Sequence, residues 1–172
     1  VIEDCSPNQV IKAYLQQLSG RGLIELLVNE KNMGFVGTVN RGMSLHAERD
    51  VLLLNSDTVV ANNWLDRIIA HADTDPCIAT ITPFSNNAEI CSFPRYCQPN
   101  PIFDNKSVAD IDTVFSDLPM QQIDVPTGVG FCMYVRREVL NEIGLFDEKT
   151  FGRGYGEEND FCMRASARGW RN

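Results

Sequence analysis

The most restrictive stretch of this 172-residue sequence is Val51–Leu54 together with the Asn55, Ser56 and Asp57 that follow it. Four consecutive apolar residues without polar alternation are typical of a short strand that is buried on both faces of a sheet. Such strands occur mainly in α/β sheets, where ligands bind beyond the carboxyl ends of the strands. We therefore expect the polar triplet to face a ligand site rather than the protein core.

Strand-like and helix-like segments alternate through the first half of the chain, which predicts an α/β fold with a mostly parallel central sheet flanked by helices. Predicted strands lie at residues 1–4, 23–28, 51–54, 78–82, 121–125 and 130–135. Predicted helices lie at residues 7–18, 38–47, 64–72, 108–118, 136–143 and 157–168. The first is capped by Ser6, the third by Asn62 or Asn63, and the last carries an Asp160–Arg164 ion pair. The proline-rich residues 84–105 are predicted to form a long loop, and loops of this length in a compact domain are usually functional lids or binding loops, or are disordered.

Composition and charge exclude several classes of protein. The net charge of −8 argues against a nucleic-acid partner, because phosphate neutralisation needs clustered Lys and Arg. No apolar run approaches the ~20 residues of a membrane span. The six cysteines are interpreted as free and mostly buried thiols, with a Cys91–Cys97 bridge left open, and no zinc-binding spacing is present. The first residue is not Met, and we interpret the chain as one truncated domain, 1–172, from a longer protein.

Two of the polar turns after predicted strands carry candidate ligand-binding residues. Asp57 is a suitable ligand for Mg²⁺ or Mn²⁺, which prefer oxygen donors and leave places for phosphate oxygens. The alternative is that Asp57 is a turn or capping residue ahead of the next helix. Asp4 and Ser6 suit contacts to a nucleobase or ribose hydroxyl, or equally a turn and a helix cap.

A third carboxylate pair, Glu157 and Glu158, begins the last predicted helix. One interpretation is a general base, a role that contributes roughly 10²–10⁴-fold in rate. The other is that acidic residues are simply favoured at a helix N-terminus. The glycine-rich residues 152–156 just before the pair allow close approach of a ligand, which favours the functional interpretation.

Five segments of the sequence resemble, in order, the motifs of glycosyltransferase family 2, the GT-A-fold transferases that use nucleotide sugars. They are residues 1–6 (Val-Ile-Glu-Asp-Cys-Ser), 32–42 (Asn-Met-Gly-Phe-Val-Gly, then Asn-Arg-Gly), 52–58 (Leu-Leu-Leu-Asn-Ser-Asp-Thr), 136–148 (Arg-Arg-Glu-Val-Leu, then Ile-Gly-Leu-Phe-Asp-Glu) and 154–162 (Gly-Tyr-Gly-Glu-Glu-Asn-Asp-Phe-Cys). The resemblance implies a GT-A-like, Rossmann-type sheet that lacks the usual first strand. It also implies a nucleotide-binding part over 1–83 and an acceptor-binding and catalytic-base part over 84–172.

The same resemblance implies roles for individual residues. Asp57 would bind Mg²⁺ or Mn²⁺, and Glu157 with Glu158 would occupy the catalytic position of a transferase that inverts the anomeric carbon. The residues implied in nucleotide-sugar binding are Asp4, Ser6, Asn32, Gly34, Asn40, Asn55, Ser56 and Asp57. The sequence departs from the family pattern in having Asn55 for the first Asp and Glu158 where Asp is usual, and it lacks the downstream segment that often carries a metal-binding His.

The resemblance finally implies a UDP- or dTDP-sugar donor, a saccharide or lipid-linked saccharide acceptor, and hexosyl or rhamnosyl transfer in polysaccharide biosynthesis. A cytoplasmic location is expected, peripheral to the inner face of the membrane for a lipid-linked acceptor, and a homo-oligomer is left open. Acceptor specificity is expected in residues 85–105. Two alternatives remain: a sugar-1-phosphate nucleotidyltransferase, whose Arg- and Lys-bearing glycine loop is not visible here, and a non-catalytic binding or scaffold module of the same fold.

Overall fold

The computed structural model describes residues 1–103 and 105–172. Residue 104, which falls in the loop predicted over 84–105, lies outside the described residues. The chain divides into two compact units, and each is described by itself. The first comprises residues 1–47 and 145–157, and the second comprises residues 48–144 and 158–172.

Helices and strands alternate through the first half of the chain, as predicted, whereas residues 137–166 contain three consecutive helices. The described helices are α1 (Gln9–Gly20), α2 (Gly34–Met43), α3 (Trp64–Ala72), α4 (Val108–Ser116), α5 (Arg137–Ile143), α6 (Glu148–Phe151) and α7 (Glu157–Ser166). The described strands are β1 (Ile2–Glu3), β2 (Leu27–Val28), β3 (Val51–Leu54), β4 (Thr80–Ile81) and β5 (Cys132–Val135). None of the helices in the described residues is long and apolar enough to cross a membrane.

The first unit contains a two-stranded parallel sheet in which Ile2 pairs with Leu27. Helix α1 begins two residues later than predicted, because the side chain of Asn8 rather than Ser6 accepts the capping hydrogen bond from Val10 N. The predicted apolar face of α1 is largely exposed within this unit, and Val10 has 77% of its surface accessible. Periodicity thus predicted the helix correctly but not the burial of its face.

The second unit contains a three-stranded sheet in the order β3-β5-β4, and β5 is antiparallel to both neighbours. Strands β3 and β4 therefore run parallel to each other with a reversed strand between them, a reversal that the sequence analysis did not predict. All four residues of β5 are buried, as expected for a central strand. The core beneath this sheet consists of Ile68, Ala72, Cys132 and Tyr134, against which Leu52, Trp64, Ile81 and Phe131 pack.

Three local predictions in this unit are wrong. Strand β3 is not buried on both faces: it lies at the edge of the three-stranded sheet, its first three residues are half-buried, and Leu54 is 44% exposed. Residues 121–125 form no strand: they are exposed or half-buried, and Val125 N instead donates to Asn172 O. Cys77 is exposed rather than buried, because it lies in a turn where its N–H donates to the Asp75 carboxylate. The predicted Asp160–Arg164 ion pair of α7 is confirmed, at 2.7 Å. All six cysteines are free, so Cys91 and Cys97 are not bridged.

Candidate functional site

Candidate residues occur in both units. In the first, the half-buried Asp4 follows β1 and its carboxylate meets the beginning of α2. Oδ1 accepts hydrogen bonds from Met33 N at 2.8 Å and Asn29 Nδ2 at 2.7 Å, and Oδ2 accepts from Gly34 N at 3.0 Å. Asn32 joins the same group by donating from Nδ2 to Asp4 O at 3.1 Å. Asp4, Asn32 and Gly34 were all predicted as nucleotide-sugar-binding residues, and the fold brings these three together.

Electrostatics favour the ionised form of Asp4. Burial by itself would raise the pKa of this carboxyl, but the hydrogen bonds from Met33, Asn29, Thr38 and Gly34 outweigh that effect and lower the pKa below its usual value. The carboxylate also explains why α2 begins at residue 34 rather than at the predicted 38. It accepts two backbone N–H groups that would otherwise be left without partners at the helix N-terminus.

Asn29 is a polar residue of this group that the sequence analysis missed. It is 4% exposed, donates to Asp4 Oδ1 and to Thr38 Oγ1, and accepts from Arg41 Nη1. The sequence held the same signal as at β3, since Asn29 directly follows β2 as Asn55 directly follows β3, and both lie at the carboxyl end of a strand.

Both the backbone conformation and the neighbouring atoms require a glycine at position 34. Its φ is +72°, a conformation that side-chain-bearing residues rarely adopt, and a Cβ placed there would lie 3.1 Å from the Cα of Arg153. Phe35 N donates to Arg153 O at 3.3 Å, so the beginning of α2 packs directly on the glycine-rich turn at residues 152–156.

Two other predicted residues of the first unit have contacts within the protein. Asn40 is buried, donating from Nδ2 to Phe146 O at 2.9 Å and accepting from Phe146 N through Oδ1 at 3.1 Å. Both functions of its amide therefore hold the segment that leads to the glycine-rich turn. Ser6 N donates to the buried carboxylate of Glu3, and Ser6 Oγ accepts from Asn8 N at 3.2 Å.

In the second unit, Asn55, Ser56 and Asp57 follow β3 and are all exposed, as the opening prediction requires. The backbone of Asn55 shapes the turn, because its N donates to Phe131 O at 2.8 Å and its carbonyl accepts from the Thr58 hydroxyl at 2.7 Å. The Asp57 carboxylate has no hydrogen-bond partner among residues 1–103 and 105–172.

Asp57 can hold a divalent metal only if most of the other metal ligands come from phosphate and water. Within the described ranges, no group of three or more His, Cys, Asp or Glu residues could hold an ion. An exposed carboxylate without a partner nevertheless suits the mode in which Mg²⁺ or Mn²⁺ takes one or two protein oxygens and the rest from phosphate and water. A closed, all-protein metal site does not fit these residues.

The glycine-rich turn of the first unit contains three consecutive residues with positive φ, namely Gly154 (133°), Tyr155 (77°) and Gly156 (106°). Gly156 leaves no room for a side chain, since a Cβ would lie 2.9 Å from Phe151 Cε1. Tyr155 is 98% exposed, a strained and solvent-facing aromatic residue that the sequence analysis did not single out. The sequence analysis identified the glycines of this turn as important for ligand approach, but it assigned no role to Tyr155.

The turn ends at Glu157, whose side chain is 2% exposed and whose Oε2 is buried without a hydrogen-bond partner. A buried acceptor without a donor is rare in native structures and calls for a bound water or ligand group. A Cβ on Gly154 would lie 3.6 Å from Glu157 Oε1, so this carboxylate sits beneath the turn.

Glu158 belongs to the second unit and is half-buried in the first turn of α7. The next residue, Asn159, accepts a 2.6 Å hydrogen bond from the Thr127 hydroxyl, and Gly128 N donates to Cys162 Sγ at 3.2 Å. These two contacts clamp the beginning of α7 to the turn at residues 126–128. Thr127 therefore fixes the position of the helix that carries Glu158.

Comparisons with known proteins agree with this architecture. The family model described as glycosyl transferase family 2 matches residues 1–144. A search of the curated proteins finds no match. Among 37 matching chains of solved structures is the crystal structure of GalNAc-T7 with UDP, GalNAc and Mn²⁺, with a TM-score of 0.70 and 17% sequence identity. The alignment covers 99% of this chain and 34% of that one, so the chain spans about a third of the length of its structural relative.

Proposed function

Because the chain belongs to glycosyltransferase family 2, we propose that it transfers a sugar from a nucleoside-diphosphate sugar to an acceptor hydroxyl, with inversion at the anomeric carbon. The GT-A-like fold, shared with a protein whose structure was solved with UDP, GalNAc and Mn²⁺, supports glycosyl transfer as the general activity. The observation that carries the proposal in this chain is the exposed Asp57 carboxylate beyond β3, which has no partner in the described residues.

In the second unit, Asp57 would hold Mg²⁺ or Mn²⁺, and Asn55 and Ser56 would contact the diphosphate of the donor. When bound, the metal neutralises charge on the departing diphosphate. In the first unit, Asp4 accepts a hydrogen bond from the nucleobase, and Asn32, whose Nδ2 donates to Asp4 O, lies beside it. The lowered pKa of Asp4 supports this role, because the carboxylate stays ionised and remains an acceptor. Ser6 contributes a hydroxyl to ribose binding.

Two predicted donor-site residues are assigned to positioning. Gly34 lets the chain pack closely against Arg153, and Asn40 holds Phe146 at the start of the segment that ends in the glycine-rich turn.

In the proposed chemical step, Glu158 accepts the proton of the acceptor hydroxyl. The hydroxyl oxygen forms a bond to the anomeric carbon while the bond from that carbon to the diphosphate oxygen breaks. The nucleoside diphosphate leaves with the bonding electrons. The Oε2 of Glu157 is buried beneath the glycine-rich turn without a partner in the described residues, so a substrate hydroxyl could donate to it only after that turn moves. The base of the nucleotide, the transferred sugar and a lipid-linked acceptor remain predictions, as do the cytoplasmic location and a homo-oligomer.

Calorimetric titration of UDP and dTDP, with and without Mn²⁺, tests the donor site. We expect metal-dependent binding of one nucleotide, lost in Asp57→Ala and retained in Asp66→Ala, which removes an exposed carboxylate from α3 of the same unit. Nucleotide binding that depends neither on the metal nor on Asp57 would show that the turn after β3 has only a structural role.

The catalytic base is tested separately. Glu158→Gln should leave nucleotide binding unchanged and lower the rate of sugar-nucleotide hydrolysis or transfer by roughly 10²–10⁴-fold. Equal rates for the variant and the wild type would rule out Glu158 as the base. Nucleotide binding without turnover by either protein would favour the non-catalytic alternative.

A further inference from the structure

The loop between β4 and α4 is built around one buried side chain. Asn100 is 4% exposed, and its Oδ1 accepts from Arg95 N at 3.1 Å and from Arg95 Nε at 3.2 Å. Its Nδ2 donates to Arg95 O at 3.0 Å and to Gln98 O at 2.8 Å. Its backbone exchanges two further hydrogen bonds with Asn86. A fully satisfied buried polar group of this kind specifies one loop shape.

Aromatic contacts hold the same loop on its other side. The ring of Phe93 packs edge-on against Phe115 of α4, with 5.4 Å between centroids, and lies 5.9 Å from the ring of Phe84. The loop is therefore fixed both by the hydrogen bonds around Asn100, which we call the hub, and by the aromatic contacts of Phe93. It presents a preformed surface instead of having to order when a ligand arrives.

A cavity of about 380 Å³ opens beside the hub. Its described lining residues are Pro94, Arg95, Asn100, Pro101, Ile102 and Phe103. The volume falls in the range of small-molecule sites, which combine apolar walls with a few converging polar groups. Phe103 is 69% exposed, so its ring is available to a ligand without any rearrangement.

Arg95 gives this cavity its charge. It is the one charged side chain among the described lining residues, in a chain whose net charge is −8. The hub uses its Nε, while its two terminal nitrogens have no hydrogen-bond partner in the described part of the chain. A guanidinium held at one nitrogen, with its others open, is oriented to bind a carboxylate or phosphate in a forked arrangement.

We propose that this cavity binds an acidic sugar unit of the acceptor, with its anionic group on Arg95 and the C–H face of its ring against Phe103. The assignment to the acceptor rests on the proposed glycosyl transfer. The chemistry of the cavity favours a saccharide because apolar walls suit the C–H face of a sugar ring and the hub positions a single cation. A uronic acid and a sugar phosphate share this chemistry.

Ligand-observed NMR titration of the whole chain with D-glucuronate, glucose 6-phosphate and D-glucose tests the proposal. We expect one or both acids to bind at least about tenfold more tightly than glucose, and which acid binds identifies the anionic group. Arg95→Gln should remove that preference, and Phe103→Ala should weaken the binding of every sugar that binds by about tenfold. Arg21→Gln and Tyr14→Ala, which remove an exposed cation and an exposed ring from the α1 region, should change neither.

Equal affinity of the wild type for glucose and both acids would overturn the proposal, as would acid binding that is indifferent to Arg95 and Phe103. The Asp57-dependent nucleotide titration, run on the same variants, separates this test from that of the proposed function. It should be unaffected in Arg95→Gln and Phe103→Ala. A preference for acids in a chain that binds no nucleotide would leave the cavity as a saccharide site and contradict the donor-site proposal alone.

Discussion

Asp4 offers the sharpest quantitative test of how the first unit is held together. Asp4→Ala removes an ionised acceptor of hydrogen bonds, among them one from Asn29 Nδ2 and two from backbone N–H groups at the beginning of α2. Losing a helix-capping acceptor costs about 0.5–2 kcal/mol, and hydrogen bonds to a charged group are worth about 1.5–3 kcal/mol. Because Asp4 is only half-buried and water replaces part of the loss, we expect the free energy of unfolding to fall by about 3 kcal/mol.

Urea denaturation followed by circular dichroism measures this change, and in a chain of this size it corresponds to a melting temperature roughly 6–12 °C lower. Asp57→Ala is the matched control, since that carboxylate has no partner in the described residues, and we expect a change within about 0.5 kcal/mol. A loss of less than about 0.5 kcal/mol in Asp4→Ala would refute the inference that Asp4 fixes the beginning of α2.

The same reasoning predicts a dependence on pH. Because the pKa of Asp4 is lower in the folded protein than its usual value, its stabilisation is fully present above the unfolded-state pKa. That stabilisation is lost as the pH falls through the lowered folded-state pKa. The difference in stability between the wild type and Asp4→Ala should therefore shrink below a pH of about 4. A difference that stays constant between pH 7 and pH 3 would mean that the charge of Asp4 plays no part.

Two further predictions concern the glycine-rich turn and the thiols. Gly156→Ala should lower the free energy of unfolding by about 1–3 kcal/mol, since the new Cβ would lie 2.9 Å from Phe151 Cε1 at a φ of +106°. Gly20→Ala is the control: position 20 has open space around it, so the same denaturation experiment should show a neutral or stabilising effect. A free energy of unfolding that does not change in Gly156→Ala would show that the turn rearranges freely. In titration with an aromatic disulfide reagent at pH 8, the exposed Cys77 and Cys97 should react in the folded protein. Burial raises the pKa of Cys91 and of Cys132 to about 11, so these thiols should react only in urea, and their rapid labelling without denaturant would contradict the described core.

Several features of the candidate site followed directly from neighbouring residues. The apolar run of β3 and its polar stop predicted that Asp57 lies exposed after a strand, and the structure confirms that placement. The glycines before Glu157 predicted a loop ahead of the last helix, and the structure has a turn with positive φ angles there, just before α7. These predictions succeeded because strand ends, helix ends and turn conformations depend mainly on residues within a few positions of each other. The burial of β3 on both faces was not predicted correctly, because it depends on which strands and helices pack against it.

The role of individual polar side chains did not follow from the sequence. Asn40 was predicted from its motif to bind the donor, yet its amide is fully occupied by the backbone of Phe146, which is distant in the chain. Asn29 and Thr127 were not predicted at all, although each positions a candidate residue. Hydrogen bonds between remote segments leave no periodic trace in a sequence, so a motif residue and a residue that supports it look alike.

The sequence by itself therefore determined the alternation of strands and helices, the family, and the carboxylates to be tested. Only the tertiary structure decided that β5 runs antiparallel between β3 and β4 and that the Asp4 carboxylate binds the N-terminus of α2. It also decided that the hydrogen bonds of Asn100 fix the shape of the proline-rich loop beside its cavity. The physical reason is the range of the forces involved. Local backbone preferences act within a few residues, whereas strand pairing and the satisfaction of buried polar groups require partners that meet only when the chain has folded.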